Sequence, residues 1–224
     1  MKIFFTLLFA GLYLISFGQI TEFDSKGEEV TYYKYLDQNK TVSKRKGNFK
    51  RIVSTVEDGV TKIEYFQISS NILRKEQFLD NGKPVGVWRD FDTEGNLSKK
   101  RDLDSIKYCV KEKSAKTDST KTVDKEAVFV GGEPEMYSFL SQNITYPTFA
   151  KYNFITGKVY IQFIIEKNGD VTPKCIHKIN NNSNKLLEYE AIRVISIMPK
   201  WEPGEKDGKA VRTLFNLPIS FKLN

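Results

Sequence analysis

GKVYIQFIIEKNGDVTPKCIHKI, residues 157–179, decides the fold of the C-terminal half of this chain. Side chains on both sides of the alternating run 158–166 are largely apolar, which predicts a central strand buried on two faces. Asn168-Gly169 is typical of a tight turn. Residues 171–179 then return as a second strand, and Pro173 predicts that this strand is at a sheet edge or bulged, because proline has no N–H to donate.

Two helices and a last strand complete the predicted domain. Residues 131–147 repeat apolar side chains at a spacing of three to four, which predicts a short amphipathic helix ending before Pro147. A second helix is predicted over 185–198, with Ser183 or Asn184 as its N-cap and Pro199 as its stop. The last strand spans 210–223. This order predicts an α+β fold, a three-stranded antiparallel sheet with two helices on one face.

The region 19–110 predicts a different, β-rich architecture. The dipeptides Asp58-Gly59 and Asn81-Gly82 indicate hairpins between alternating strands, at a spacing of 23 positions. The second unit, GKPVGVWRDFDTEGNL (82–97), resembles a MORN-type repeat of the antitoxin-like variant. The matching residues are Gly82, Gly86, Trp88, Phe91, Gly95 and Leu97. The resemblance implies stacked β-hairpins with Trp88 and Phe91 packed in a core.

The first 18 residues predict an exported protein. One Lys precedes an apolar run over 3–17, and small residues at 16 and 18 favour cleavage before Gln19. The run is shorter than the ~20 residues that a spanning helix needs. We therefore interpret 1–18 as a cleaved signal peptide and expect the mature chain in the periplasm; the alternative is an uncleaved inner-membrane anchor.

Polar residues separate the two folded regions. Residues 111–126, KEKSAKTDSTKTVDKE, contain only two apolar side chains, so they predict a flexible linker. The predicted organisation is thus a signal peptide (1–18), a MORN-like region (19–110), the linker (111–126) and a C-terminal domain (127–224).

The C-terminal domain resembles that of TonB-type energy transducers. The similarity covers about residues 129–223, and includes FVGGE (129–133), YP (146–147), GKVYIQFIIEKNGDV (157–171), DGK (207–209) and LPISFKL (217–223). Its most specific part lies in 186–204 and comprises Glu190, Ala191, Pro199, Trp201, Pro203 and Gly204.

This resemblance implies a function in the cell envelope. TonB-type domains take up a short segment of an outer-membrane transporter as an added β-strand, because an exposed sheet edge offers unpaired N–H and C=O groups. We expect this edge on the last strand, at Val211, Arg212, Thr213, Leu214, Phe215 and Asn216. The motif residues are expected to be structural: Glu190 in a salt bridge or cap contact, Trp201 in the core, and Pro203-Gly204 in a turn.

The chain departs from the transducer pattern at its N-terminus. A cleaved signal replaces the anchor helix, and a short polar linker replaces the long Pro-rich spacer. Coupling to the ExbB–ExbD motor is therefore expected only if the N-terminus is retained. The alternative function is a structural or adaptor protein that uses its two modules for protein contacts without transport, including as a homodimer through strand edges.

Other classes are disfavoured. The chain contains no GxSxG, P-loop or HExxH motif, so we expect no enzyme, cofactor or metal. Its 35 basic residues are interleaved with 28 acidic ones, so the net charge of +7 does not indicate nucleic-acid binding. Cys175 is interpreted as an edge-strand thiol beside His177, although the sequence leaves open whether it pairs with Cys109. Glu188 is expected to be a solvated helix charge.

Overall fold

A computed structural model describes residues 14–16, 19–36, 41–42, 44–109, 123–178 and 184–223. The chain forms two compact units that divide between Asp102 and Leu103. Both are described below, each by itself. Among the described helices, none combines the length and the apolar character that crossing a membrane requires.

The described residues of the first unit form an antiparallel sheet of eight strands in chain order. The strands are β1 (Leu14–Ser16), β2 (Gln19–Phe23), β3 (Glu29–Tyr33), β4 (Phe49–Thr55), β5 (Thr61–Gln67), β6 (Leu73–Asp80), β7 (Lys83–Phe91) and β8 (Leu97–Asp102). Strand β1 lies inside the stretch predicted as a signal peptide, and that interpretation stays a prediction.

Both predicted hairpin dipeptides connect neighbouring strands. Asn81 and Gly82 join β6 to β7 with φ values of 47° and 76°. Asp58 and Gly59, between β4 and β5, have φ values of 59° and 75°. At Asn81-Gly82, two consecutive positive φ angles give a two-residue turn whose twist matches that of the flanking strands, and Asn and Gly tolerate such angles well.

Trp88 is a core residue of the first unit. Its side chain is 2% exposed, and its indole N–H donates to the carbonyl oxygens of Phe78 and Val85 at 3.0 and 3.1 Å. This confirms that Trp88 packs in a core. A large antiparallel sheet of hairpins agrees with the predicted module, whereas its assignment to MORN repeats stays a prediction.

The second unit mixes strands and helices. Its elements are β9 (Val128–Phe129), α1 (Gly132–Asn143), α2 (Thr148–Tyr152), β10 (Gly157–Ile165), β11 (Val171–His177), α3 (Lys185–Ser196), β12 (Trp201–Glu202), β13 (Gly204–Lys206), β14 (Lys209–Val211) and β15 (Thr213–Phe221). Strands β11, β10 and β15 form the three-stranded antiparallel sheet, and β9–β12 and β13–β14 form two small pairs. The predicted α+β architecture is confirmed, with α2 as an additional short helix.

Strand β10 is central, as its sequence predicts. Val159, Ile161, Phe163 and Ile165 are at most 2% exposed and belong to a core shared with α1, α3 and β15. The edge position and bulge predicted from Pro173 are also confirmed, because β11 lies outside β10 and the pairing register shifts between Gln162 and Phe163. Asn184 is the N-cap of α3, where its side chain accepts a hydrogen bond from the backbone N–H of Leu186.

The boundary between the regions lies earlier than position 110. Residues 103–109 belong to the second unit, where Ile106 is buried in the core and Cys109 forms a disulfide with Cys175. Cys175 is therefore not a free thiol. The sequence left this pairing open because the two cysteines are 66 positions apart, and no local pattern shows that they meet.

Most of the predicted linker, residues 111–122, lies outside the described residues. Its last part is ordered, since the backbone of Lys125 pairs with that of Glu205.

Trp201 joins three elements of the core, and its replacement tests the packing. It is 4% exposed, and its ring centroid lies 5.0–5.6 Å from those of Phe129, Phe163 and Phe215. We expect Trp201→Ala to lower the free energy of unfolding by roughly 3–5 kcal/mol, because removal of the indole would leave a cavity among the surrounding aromatic rings. Urea denaturation followed by circular dichroism measures this. Ile197→Ala, at a 48% exposed position, is the control and should change stability little.

Candidate partner-binding groove

Strand β15 pairs with β10 on one side only. Within the part of the chain that the structure describes, no other strand pairs with it. The outer backbone edge of β15 is therefore open to a further strand.

The register shows which backbone groups of β15 face outward. The N–H of Glu166 donates to the carbonyl of Asp170 across the β10–β11 turn, at 2.9 Å. Because successive residues direct their polar groups to alternate neighbours, Ile165 and Phe163 face β15, where they oppose Thr213 and Phe215. The even-numbered positions of β15 consequently present their N–H and C=O groups at the outer edge; these are Leu214, Asn216, Pro218 and Ser220.

Pro218 agrees with this assignment. It opposes Tyr160 in β10, at a position whose polar groups face outward. Its missing N–H therefore costs no hydrogen bond within the sheet, as expected for proline in an edge strand.

A groove of about 340 Å³ runs beside this edge. Residues 215–218 of β15 form one wall, and β9, α1 and Trp201 form the others. The lining is mostly apolar and includes Phe129, Met136, Tyr137 and Leu217, with the carboxylate of Glu133 among them. An apolar groove along an open strand edge combines main-chain pairing with sites for side chains.

The six expected binding residues fall into two groups. Thr213, Leu214, Phe215 and Asn216 lie on β15, next to or within the groove. Val211 instead ends β14, where it pairs with Gly204, and Arg212 forms an ion pair with Glu166 at 2.8 Å. The last strand is thus interrupted before Thr213, and the groove is centred nearer the C-terminus than 211–216.

The side chain of Asn216 is held on the exposed face of the sheet. Its Oδ1 accepts from Nε2 of Gln162 at 3.1 Å and lies 3.0 Å from Nε2 of His177. These contacts link all three strands, so Asn216 has a structural role besides its outward-facing N–H.

One protein family model matches the C-terminal part of this chain. Residues 142–223 match the family model of the Gram-negative bacterial TonB protein C-terminal. These residues are similar to the TonB C-terminal domain. No curated protein and no solved structure shows a significant match to the chain.

Glu190, in the TonB motif, makes the expected structural contacts. It is 5% exposed, its carboxylate pairs with Arg193 at 2.6 and 2.8 Å, and it accepts a hydrogen bond from the N–H of Thr145 at 2.7 Å. The hydrogen bonds that Arg193 donates to Glu190 raise the pKa of Arg193 above its ordinary value. Glu190 therefore ties α3 to the segment that follows α1.

The other motif residues lie in α3 and in the segments between α3 and β15. Ala191 is fully buried, and Pro199 follows the end of α3. After Pro203, a Cβ atom on Gly204 would lie 2.5 Å from Oγ1 of Thr213. Gly204 thus lets the chain pass against the first residue of β15.

Glu188 is not a solvated charge. It is fully buried, and its Oε2 accepts from the hydroxyl of Tyr108 at 2.7 Å. Burial and this hydrogen bond raise the pKa of Tyr108 well above its usual value. The expectation of a solvated charge was wrong because the partner of Glu188 is Tyr108. Tyr108 is 80 residues away, so the pattern of the helix itself does not reveal this contact.

The residues of β9 and α1 that line the groove were not among the expected site residues. The sequence did contain a signal for it, since FVGGE (129–133) is part of the TonB resemblance. Within the described residues, no group of three or more His, Cys, Asp or Glu side chains is placed to hold a metal ion.

Replacing Glu190 tests its structural role. We expect Glu190→Gln to lower the free energy of unfolding by about 1–3 kcal/mol, because a charge-assisted pair with Arg193 is lost in a mostly buried place. Urea denaturation measures the change. Glu202→Gln, at an exposed carboxylate, should be nearly neutral; equal stability of both variants and the unmodified chain would contradict the assignment.

Proposed function

We propose that the C-terminal domain is a binding module that takes up an extended segment of another envelope protein as an added strand on β15. The observation that carries this proposal is the open outer edge of β15 beside an apolar groove. The match to the TonB C-terminal family supports it, and the partner class that follows is an outer-membrane transporter.

The edge defines what such a segment must offer. Leu214, Asn216 and Ser220 provide outward N–H groups, and Pro218 provides only a carbonyl. Each net hydrogen bond contributes roughly 0.5–1.5 kcal/mol, so three or four give a weak, sequence-tolerant interaction. Side chains of the odd-numbered residues of β15 face the core. Side chains of an added strand would alternate between the two faces of the sheet in the same way, so every second one would face the groove.

Groove chemistry adds selectivity to this pairing. Apolar side chains of the partner would pack against Phe129, Met136 and Trp201. Glu133 would favour a basic residue at one position. The other side chains would face solvent, where Leu214 is 49% exposed.

Energy transduction is a narrower form of the proposal. It requires a connection to the ExbB–ExbD motor, and hence an N-terminus that remains in the inner membrane. With a cleaved N-terminus, the chain acts as an exported, non-enzymatic binding protein. The presence of two separate compact units supports an adaptor as the second candidate, with each module contacting a different envelope component.

Proline substitutions on β15 distinguish strand addition from side-chain recognition. Asn216→Pro removes an outward N–H and should abolish binding of a synthetic TonB-box peptide from a transporter of the same organism. Asn216→Ala keeps that N–H while losing the same side chain, so it is the matched control and should weaken binding only modestly. Isothermal titration calorimetry, with circular dichroism to verify folding, gives both results.

A third variant tests the register. Phe215→Pro removes an N–H that faces β10, so it should destabilise the domain itself. Equal peptide affinity of Asn216→Pro and Asn216→Ala, with both folded, would exclude strand addition at this edge.

Export has its own test. The N-terminal residue of the protein recovered from the cell envelope should be Gln19 or its cyclised form, as read by Edman degradation or mass spectrometry. Recovery of a chain that still begins at Met1 would contradict cleavage and favour the anchored, motor-coupled form.

A further inference from the structure

Residues 103–109, called the strap below, pair with the outer edge of β11 at Ile176. The backbone of Tyr108 pairs with Ile176 in parallel orientation. The N–H of Ile176 donates to the carbonyl of Lys107, and the N–H of Cys109 donates to the carbonyl of Ile176, both at 2.9 Å. The two edges of the three-stranded sheet thus differ in the described residues: the outer edge of β15 is open, whereas β11 is paired with the strap at Ile176.

Side chains fix the strap in this place. Ile106 is 7% exposed in the core, and the hydroxyl of Tyr108 donates to the buried carboxylate of Glu188. The ammonium group of Lys178 lies 4.0 Å from the ring centroid of Tyr108. Asp104 forms an ion pair with Lys185 at 2.7 Å. These contacts make the strap fit one place on the domain.

The disulfide between Cys109 and Cys175 closes the strap covalently. Both cysteines are partly exposed, so a thiolate can reach the bond. Thiol–disulfide exchange with a dithiol breaks the Sγ–Sγ bond, leaves thiols on Cys109 and Cys175, and converts the dithiol to its own disulfide. The electrons and protons balance without any further reactant.

We propose that the strap is an exchangeable element: in the oxidised protein it is held on its own domain, and after reduction it is replaced by the strap of a second copy of this chain. The second copy is the partner because its strap carries the same residues that already complement the β11 edge. Exchange of an identical element between two copies keeps every contact and costs little beyond the association itself.

The buried carboxylate of Glu188 makes an empty edge costly. If the strap leaves, Glu188 loses the hydroxyl donor that it has in the closed form. The strap of a second copy would restore this hydrogen bond together with the burial of Ile106. Once a reduced strap has left its own domain, an exchanged dimer is therefore expected to be favoured over a monomer with an uncovered edge.

Two single-cysteine variants test the exchange in the full chain. Cys109→Ser keeps only Cys175, and Cys175→Ser keeps only Cys109. When the two are mixed and oxidised, strap exchange should produce a heterodimer cross-linked through Cys109 and Cys175, identified by non-reducing electrophoresis and peptide mass spectrometry. We expect this cross-link in at least tenfold excess over the homodimers, whereas random collisions give all three species in comparable amounts.

Hydrogen exchange of the unmodified chain provides a measurement that needs no variant. The amides of Ile176 and Cys109 should exchange on the order of a hundredfold faster after addition of dithiothreitol at low protein concentration, because the covalent closure is lost. Amides of β10 that donate to β15 are the internal control and should stay protected. Raising the protein concentration should restore protection of Ile176 and produce a dimer in sedimentation.

Two results would overturn the proposal. One is a heterodimer fraction no higher than random collision gives. The other is unchanged exchange at Ile176 after complete reduction, which would mean that the noncovalent contacts alone hold the strap closed.

Discussion

The position of β10 between two antiparallel neighbours is the constraint on which the rest of the C-terminal unit depends. Its inward side chains fill the core, and its backbone polar groups are divided between β11 and β15. Because each residue can face only one neighbour, the turn at Glu166 and Asp170 sets the hydrogen-bonding direction of every position of β15. The outward groups of the proposed binding edge thus follow from a turn at the far end of the sheet.

The two edges of this sheet solve the same physical problem in different ways. Unpaired N–H and C=O groups at an edge attract other strands. On β11 the polar groups of Ile176 are paired with Lys107 and Cys109, while Pro173 and a bulge reduce the number of available donors. On β15, Pro218 removes one donor, but the apolar groove remains beside the open groups. Under the proposed function, an added strand would pair with the edge of β15.

Buried carboxylates connect this sheet to the segments around it. Glu188 receives a hydrogen bond from Tyr108, and Glu190 pairs with Arg193 and with the backbone of Thr145. Both lie on α3, two positions apart. A buried carboxylate left without a donor is costly, so each of these residues requires a particular neighbouring segment to be in place. Helix α3 therefore positions both the strap and the segment after α1.

Local sequence patterns determined much of this protein. Alternation over 158–166 predicted the central strand, Pro173 the irregular edge, Asn184 the helix cap, and Asn81-Gly82 the hairpin turn. The motif around Glu190 and Trp201 indicated the TonB C-terminal domain. Each of these features depends on neighbours within a few residues, or on a motif read as a whole.

The tertiary structure decided what depends on distant segments. The disulfide of Cys109, the burial of Glu188 by Tyr108, and the wall that β9 and α1 contribute to the groove all join residues far apart in sequence. The break before Thr213 likewise results from pairing of Val211 with Gly204. Periodicity describes which face of an element is apolar, whereas the identity of the segment that covers this face is set only when the chain packs.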